Sequence, residues 1–219
     1  ISSLKLINGG GRPEVQAAIE RFIAERGIKV WQAAISGGQH THPQGLFYGG
    51  REPTWSQGVV REMLRTHGRR CQRLGWIDFH TGLGPNGHGE RIFACRDDAQ
   101  ALARAHQWWG PQVTSIYDGS SSSARLTGMM WMAAYAECPQ AEYTGMALEY
   151  GTVPVLEVMD ALRADQWLEL HPDAGAAQRD AIKRRMRDAF YTDTDDWKQS
   201  IVAQALETTR QAVQGLSSR

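Results

Sequence analysis

The stretch LGWIDFHTGLGPNGHGE at residues 74–90 decides how the chain is read. Its first six residues, LGWIDF, are apolar or aromatic apart from Gly75 and Asp78, and no Pro interrupts them. That is the pattern of a strand covered on both faces. The strand delivers His80 to a glycine-rich segment, 81–90, whose composition predicts a loop. Side chains alternate along a strand, so Asp78 and His80 share one side, with His80 at the exit.

Working outward, IKVWQAAI at 28–35 is largely apolar, with β-branched residues, and breaks into Ser36-Gly37-Gly38, which predicts a second buried strand. TGMALEY at 144–150 predicts a third, and shorter strands are expected at 3–7 and 113–117. Between them the spacing is helical. Val15, Ala18, Ile19, Phe22 and Ile23 recur before Gly27, and Val59, Val60, Met63 and Leu64 follow Ser56 as a cap. Further helices are expected at 97–109, 126–136 and from 155, with an amphipathic pair at 175–190 and 194–215. The methionines of 126–136 read as core filling. Residues 39–55 read as an ordered surface loop, and DGSSSS at 118–123 as a flexible polar link. Strands alternating with helices predict an α/β fold, a three-layer α/β/α sandwich around a mixed, mostly parallel sheet, formed by one domain over 1–219.

Composition narrows the function. The 219 residues (24.4 kDa) carry 24 Lys plus Arg and 24 Asp plus Glu, so no net positive field holds a polyanion, and nucleic acid is not expected as a partner. No apolar run reaches the roughly 20 residues of a membrane span. Cys71, Cys95 and Cys138 are odd in number, widely spaced and without a C-x-x-C pair. They encode neither a disulfide framework nor a thiolate zinc site, and with no secretion signal legible the expected compartment is the cytoplasm.

Two strand ends carry the chemistry. His80 could ligate zinc, carry a proton, or serve as a hydrogen-bonded structural group. Glu149 lies in the apolar run ALEYGT (147–152), where a carboxylate is costly unless it is paired, metal-bound or used as a general base; Arg91 and Arg125 are the candidate partners. Thr81, Glu90 and Tyr117 lie in or beside the loops expected to rim the same pocket, as candidates for substrate contact. His40 and His42 form an H-x-H pair beside Pro43 that supplies too few donors for a structural metal site. The Gly9 to Gly11 loop lacks the ending of a phosphate loop, and Ser120 to Ser123 lacks a nucleophile-elbow context.

Taken together, GGQHTHPQGLFYGG (37–50), WIDFHTGLGPNGHGE (76–90) and ALEYGT (147–152) resemble a bacterial branch of the zinc carboxypeptidase superfamily, whose relatives include succinylglutamate desuccinylase and aspartoacylase. The resemblance spans nearly the whole chain and is most specific around His80. It implies a carboxypeptidase-like sheet, a zinc cofactor with His80 as one ligand, and Glu149 as the general base. The implied reaction is hydrolysis of an amide bond in a small peptide or N-acyl amino acid. The superfamily's earlier His-x-x-Glu ligand pair occurs nowhere in these residues, and the expectation is that they are the C-terminal portion of such an enzyme or else a shortened relative without metal. Substitute ligands would have to come from His40, His42, His88 or Glu90. The alternative is a metal-free binding or scaffold domain that keeps the fold.

Overall fold

The computed structural model describes residues 13–218. The strand expected at 3–7 and the Gly9 to Gly11 loop lie outside the described residues. The elements are helices α1 (Pro13–Arg26), α2 (Ile28–Ser36) and α3 (Trp55–His67), strands β1 (Arg73–Asn86) and β2 (Gly89–Phe93), helices α4 (Ala99–Trp109) and α5 (Met132–Glu137), strand β3 (Glu142–Gly151), and helices α6 (Val155–Leu170), α7 (Ala176–Phe190) and α8 (Asp195–Ser217). The class is α/β with a mixed three-stranded sheet in the order β1-β3-β2: β1 runs parallel to β3, and β2 antiparallel to it.

The register divides the sheet into two faces. Leu74, Trp76, Asp78 and His80 of β1 stand beside Tyr143, Gly145, Ala147 and Glu149 of β3, and Ile92 and Glu90 of β2 continue the same face. At the start of the strands this face is apolar. Leu74 and Trp76 pack against Leu64, Ala133 and Cys138 of the α3–α5 region, and Tyr143 stacks on Trp131. The opposite face carries Met146 and Leu148, both fully buried in the main core with Trp109 of α4 and Trp197 and Ala212 of α8. Trp109 anchors that layer by donating from Nε1 to the Thr208 carbonyl at 3.0 Å.

Six expectations give way to the structure. Residues 28–35 form α2, not a strand: Gly27, at φ 85°, ends α1 and restarts the helix, and Trp31 and Ile35, one turn apart, dock on the Ile19–Met159 cluster. A short apolar run fits either period, and here packing chose the helical one. Residues 81–90 are not a loop throughout, because β1 continues to Asn86 with a register irregularity after Gly82, and β2 begins at Gly89. Residues 113–117 make only a single bridge, Thr114 with Ile92, and 126–131 stay outside the helix, where Gly128 adopts φ 74°. The serine run is ordered: Ser121 is buried, and Lys29 and Gln32 of α2 hold the carbonyls of Gly119 and Ser122. The predicted cap of α3 is Thr54 rather than Ser56, its side chain accepting from the Gln57 amide.

The expected surface loop at 39–55 is present, closed by one bridge between Gln39 and Tyr48. The three cysteines are free thiols. Among the described residues no helix is long and apolar enough to cross a membrane.

Candidate functional site

Parallel pairing of β1 with β3 sets His80 directly beside Glu149, and antiparallel pairing of β2 sets Glu90 on the other side of Glu149. Three ionisable side chains therefore form one row across the sheet, near the end of the regular β1–β3 pairing, where the apolar packing of that face ends. Residues 69 positions apart in sequence meet because parallel strands bring the same end of each together.

Each member of the row is held differently. The imidazole Nε2 of His80 lies 3.0 Å from Asp78 Oδ1, two residues earlier on the same face, and its Nδ1 lies 3.9 Å from Glu149 Oε2. The Asp78 hydrogen bond raises the His80 pKa despite partial burial. Glu149 is only 8% exposed. Its Oε1 accepts from the Leu83 amide at 2.9 Å, which the irregularity after Gly82 turns toward it. Burial pushes the Glu149 carboxyl above the usual range, and the Leu83 amide and the nearby imidazole recover only part of that cost.

Glu90 is the opposite case. Burial acts to raise its pKa, but hydrogen bonds from the Ser122 hydroxyl, the Thr114 hydroxyl (2.6 Å) and the Ser122 amide (3.0 Å) outweigh it and hold the carboxyl below its ordinary value. Two neighbouring glutamates are thus driven apart, one toward the neutral form and one toward the anion. Such a split separates a group that exchanges protons from one that stays charged. Glu90 spends its oxygens on the serine run, so its role is to fix that loop over the row.

The remaining candidates fall elsewhere. Thr81 pairs with Tyr150 and lies on the opposite face from His80, because one residue along a strand reverses the side chain. Tyr117 donates its hydroxyl to the Cys95 carbonyl at 2.9 Å, sets its ring edge-on to Phe93 and lies under the Arg125 guanidinium. Neither partner proposed for Glu149 serves it in that way: Arg91 bonds the Trp109 carbonyl and Glu207, and Arg125 rests on Tyr117. His40 bonds the Gly50 carbonyl and His42 the Thr41 hydroxyl, both within the 39–55 loop. Sequence reasoning passed over Asp78 as a functional group, although its i−2 spacing from His80 carried the signal. The Leu83 amide had no signature, since it depends on an irregular turn of backbone.

The row is open rather than enclosed, with the His80 side chain 51% exposed. A cavity of about 360 Å³ lies instead on the opposite face near the start of β1, among Arg73, Arg104, Trp108 and Glu142. A catalytic zinc site takes about three protein donors plus water. These residues offer one imidazole with its Nδ1 turned toward Glu149, and among the described residues no group of three or more His, Cys, Asp or Glu is arranged to hold a metal ion. The donor set fits one corner of such a site and does not fit the whole.

Comparison with known proteins gives one match. Residues 8–204 match the family described as "Protein of unknown function (DUF2817)". No curated protein and no solved structure matches the chain. The matched span covers most of the 219 residues, and the chain therefore belongs to the DUF2817 family.

Proposed function

We propose that the Asp78–His80–Glu149 row is part of the active site of a hydrolase that cleaves an amide bond in a small peptide or N-acyl amino acid. The observation that carries this reading is the juxtaposition of His80 and Glu149, 3.9 Å apart near the end of the regular pairing of two parallel strands, with Glu149 buried and its pKa raised. A carboxylate in that state suits a general base: it takes a proton from water as the water attacks the amide carbonyl, and delivers it to the leaving amine. Oε1 is anchored by Leu83, leaving Oε2, on the imidazole side, as the oxygen that exchanges the proton. Asp78 fixes the orientation of the His80 ring, as a carboxylate does for a metal-ligating or proton-carrying histidine.

The resemblance to zinc carboxypeptidases extends the reading. The fold becomes a carboxypeptidase-like three-layer α/β/α sandwich, the cofactor zinc with His80 among its ligands, and the compartment the cytoplasm. Because one imidazole does not make a zinc site, the metal would need donors beyond this row. The same shortfall favours a second reading, a metal-free binding domain that retains the fold.

Hydrolysis of a panel of N-acyl amino acids and dipeptides, measured with added zinc and again after chelation, separates the two readings. Release of free amine that chelator stops and zinc restores supports the hydrolase. Substrate binding without turnover under every condition supports the binding domain.

A further inference from the structure

Two of the free thiols, Cys71 and Cys138, converge on one turn of the chain. They are 67 positions apart in sequence, yet both hang from the end of α3. The Cys138 thiol donates to the Leu64 carbonyl and the Cys71 thiol to the His67 carbonyl, each at 3.5 Å. Acceptors three residues apart on a helix are separated by about 4.5 Å of rise. Gly68 lies between the two thiols. A Cβ placed there would meet the Cys138 sulfur at 2.5 Å, so this face of the chain is turned toward Cys138. The single 3-10 turn Gly68–Arg70 then leads to Cys71, whose amide donates to the Gly68 carbonyl at 2.9 Å. Residues three apart in such a turn share a face, about 6 Å apart along the axis, so Cys71 follows Gly68 on the side that meets Cys138. The surrounding backbone is tied as well: the Gln140 side chain donates to the carbonyls of Gly68 and Cys71, and the Glu142 amide to that of Gln72. Burial raises the pKa of the Cys138 thiol, and the neighbouring Cys71 adds to that rise.

We propose that Cys71 and Cys138 form a reversible dithiol–disulfide site, oxidised by a low-molecular-weight disulfide such as oxidised glutathione. Cys71 is partly exposed and Cys138 is buried, so Cys71 reacts first. Its thiolate attacks one sulfur of the small disulfide, which forms a mixed disulfide and releases one small thiol. The Cys138 thiolate then leaves the Leu64 carbonyl and attacks the Cys71 sulfur, which forms the protein disulfide and releases the second small thiol. The two cysteines lose two electrons and two protons in all, and both pass to the two thiols released. Cys95 takes no part, because it is fully buried and its sulfur accepts from the Gly145 amide at 3.1 Å inside the core. The bond clips the end of α3 to the turn that enters β3, where Arg73 pairs with Glu142. That is the other end of the sheet from His80 and Glu149, and the site stands or falls independently of the hydrolase reading.

Incubation of the full chain with oxidised glutathione, followed by thiol counting in denaturant and peptide mapping, tests the proposal. The count should fall from three to one, the map should link residues 71 and 138 within one chain, and dithiothreitol should restore all three thiols. Cys138→Ser should stop with one glutathione on Cys71, and Cys71→Ser should keep both of its remaining thiols. Three thiols after treatment, a wild-type chain that stops at glutathione on Cys71, or a link that involves Cys95 or a second chain would each overturn the proposal. So would loss of either remaining thiol in Cys71→Ser. Should a serine variant fail to fold, the wild-type count and map decide the matter alone.

Discussion

Replacing Glu149 by Gln removes an ionisable group from a place where ionisation is unfavourable and keeps the oxygen that accepts from Leu83. The sign of the effect follows from the raised pKa of the folded state. Such a carboxyl contributes its full stability below the ordinary carboxylate range, and loses it as pH rises through the higher folded value. Glu149→Gln should therefore match the wild type near pH 4 and exceed it increasingly toward pH 8. Part of the wild-type cost is masked while His80 is protonated 3.9 Å away, so the gap widens further once the imidazole is neutral. Substitutions that relieve a strained functional site typically gain about 0.5–2 kcal/mol. For a chain of this size that corresponds to about 2–4 °C in Tm per kcal/mol. Urea unfolding of both proteins across that pH range measures the difference directly. A Glu149→Gln protein less stable than the wild type at pH 8 would refute the reasoning, because it would make the carboxylate a structural anchor and not a group held against its own solvation.

Three other outcomes are expected. Trp109→Ala removes a fully buried ring and its bond to the Thr208 carbonyl, and should cost about 3–5 kcal/mol in urea unfolding. Asp98→Ala deprives the first turn of α4 of its side-chain acceptor for the Ala101 amide and should cost about 1 kcal/mol, read as a lower urea midpoint at unchanged slope. Glu137 accepts from Arg65 and Arg61, and those bonds hold its pKa down; this stabilisation is present above the ordinary carboxylate range and lost as pH falls through the depressed value. Glu137→Gln should flatten the acid limb of the stability–pH curve, and an unchanged limb would show the ion pairs to be dispensable.

The candidate site was more legible than the sheet that builds it. Glu149 stood out because a charge within ALEYGT conflicts with its apolar neighbours, and His80 because it directly follows the apolar run LGWIDF. Both signals are local in sequence. Their meeting is not local: it depends on parallel pairing in register, which no single stretch encodes. Helix α2 was misread since β-branched Ile28, Val30 and Ile35 favour a strand in isolation, while docking of Trp31 on Ile19 and Met159 is a tertiary choice. Strand β2 escaped notice because GERIF is short, has two charged residues of five and follows a glycine-rich turn, and Leu148 and Met146 of β3 recruit it. Thr81 shows the cost of reading proximity from sequence spacing: it is adjacent to His80 in the chain and on the far side of the sheet.

The central claim is that His80 and Glu149 act together on a scissile amide. It is tested most directly by the initial rate of amine release from an N-acyl amino acid substrate with zinc supplied, compared among the wild type, His80→Ala and Glu149→Gln. Loss of a positioned acid–base group lowers rates by about 10²–10⁴-fold, and both variants should fall by at least the lower figure while remaining folded. Hydrolysis that proceeds undiminished in either variant would contradict the account.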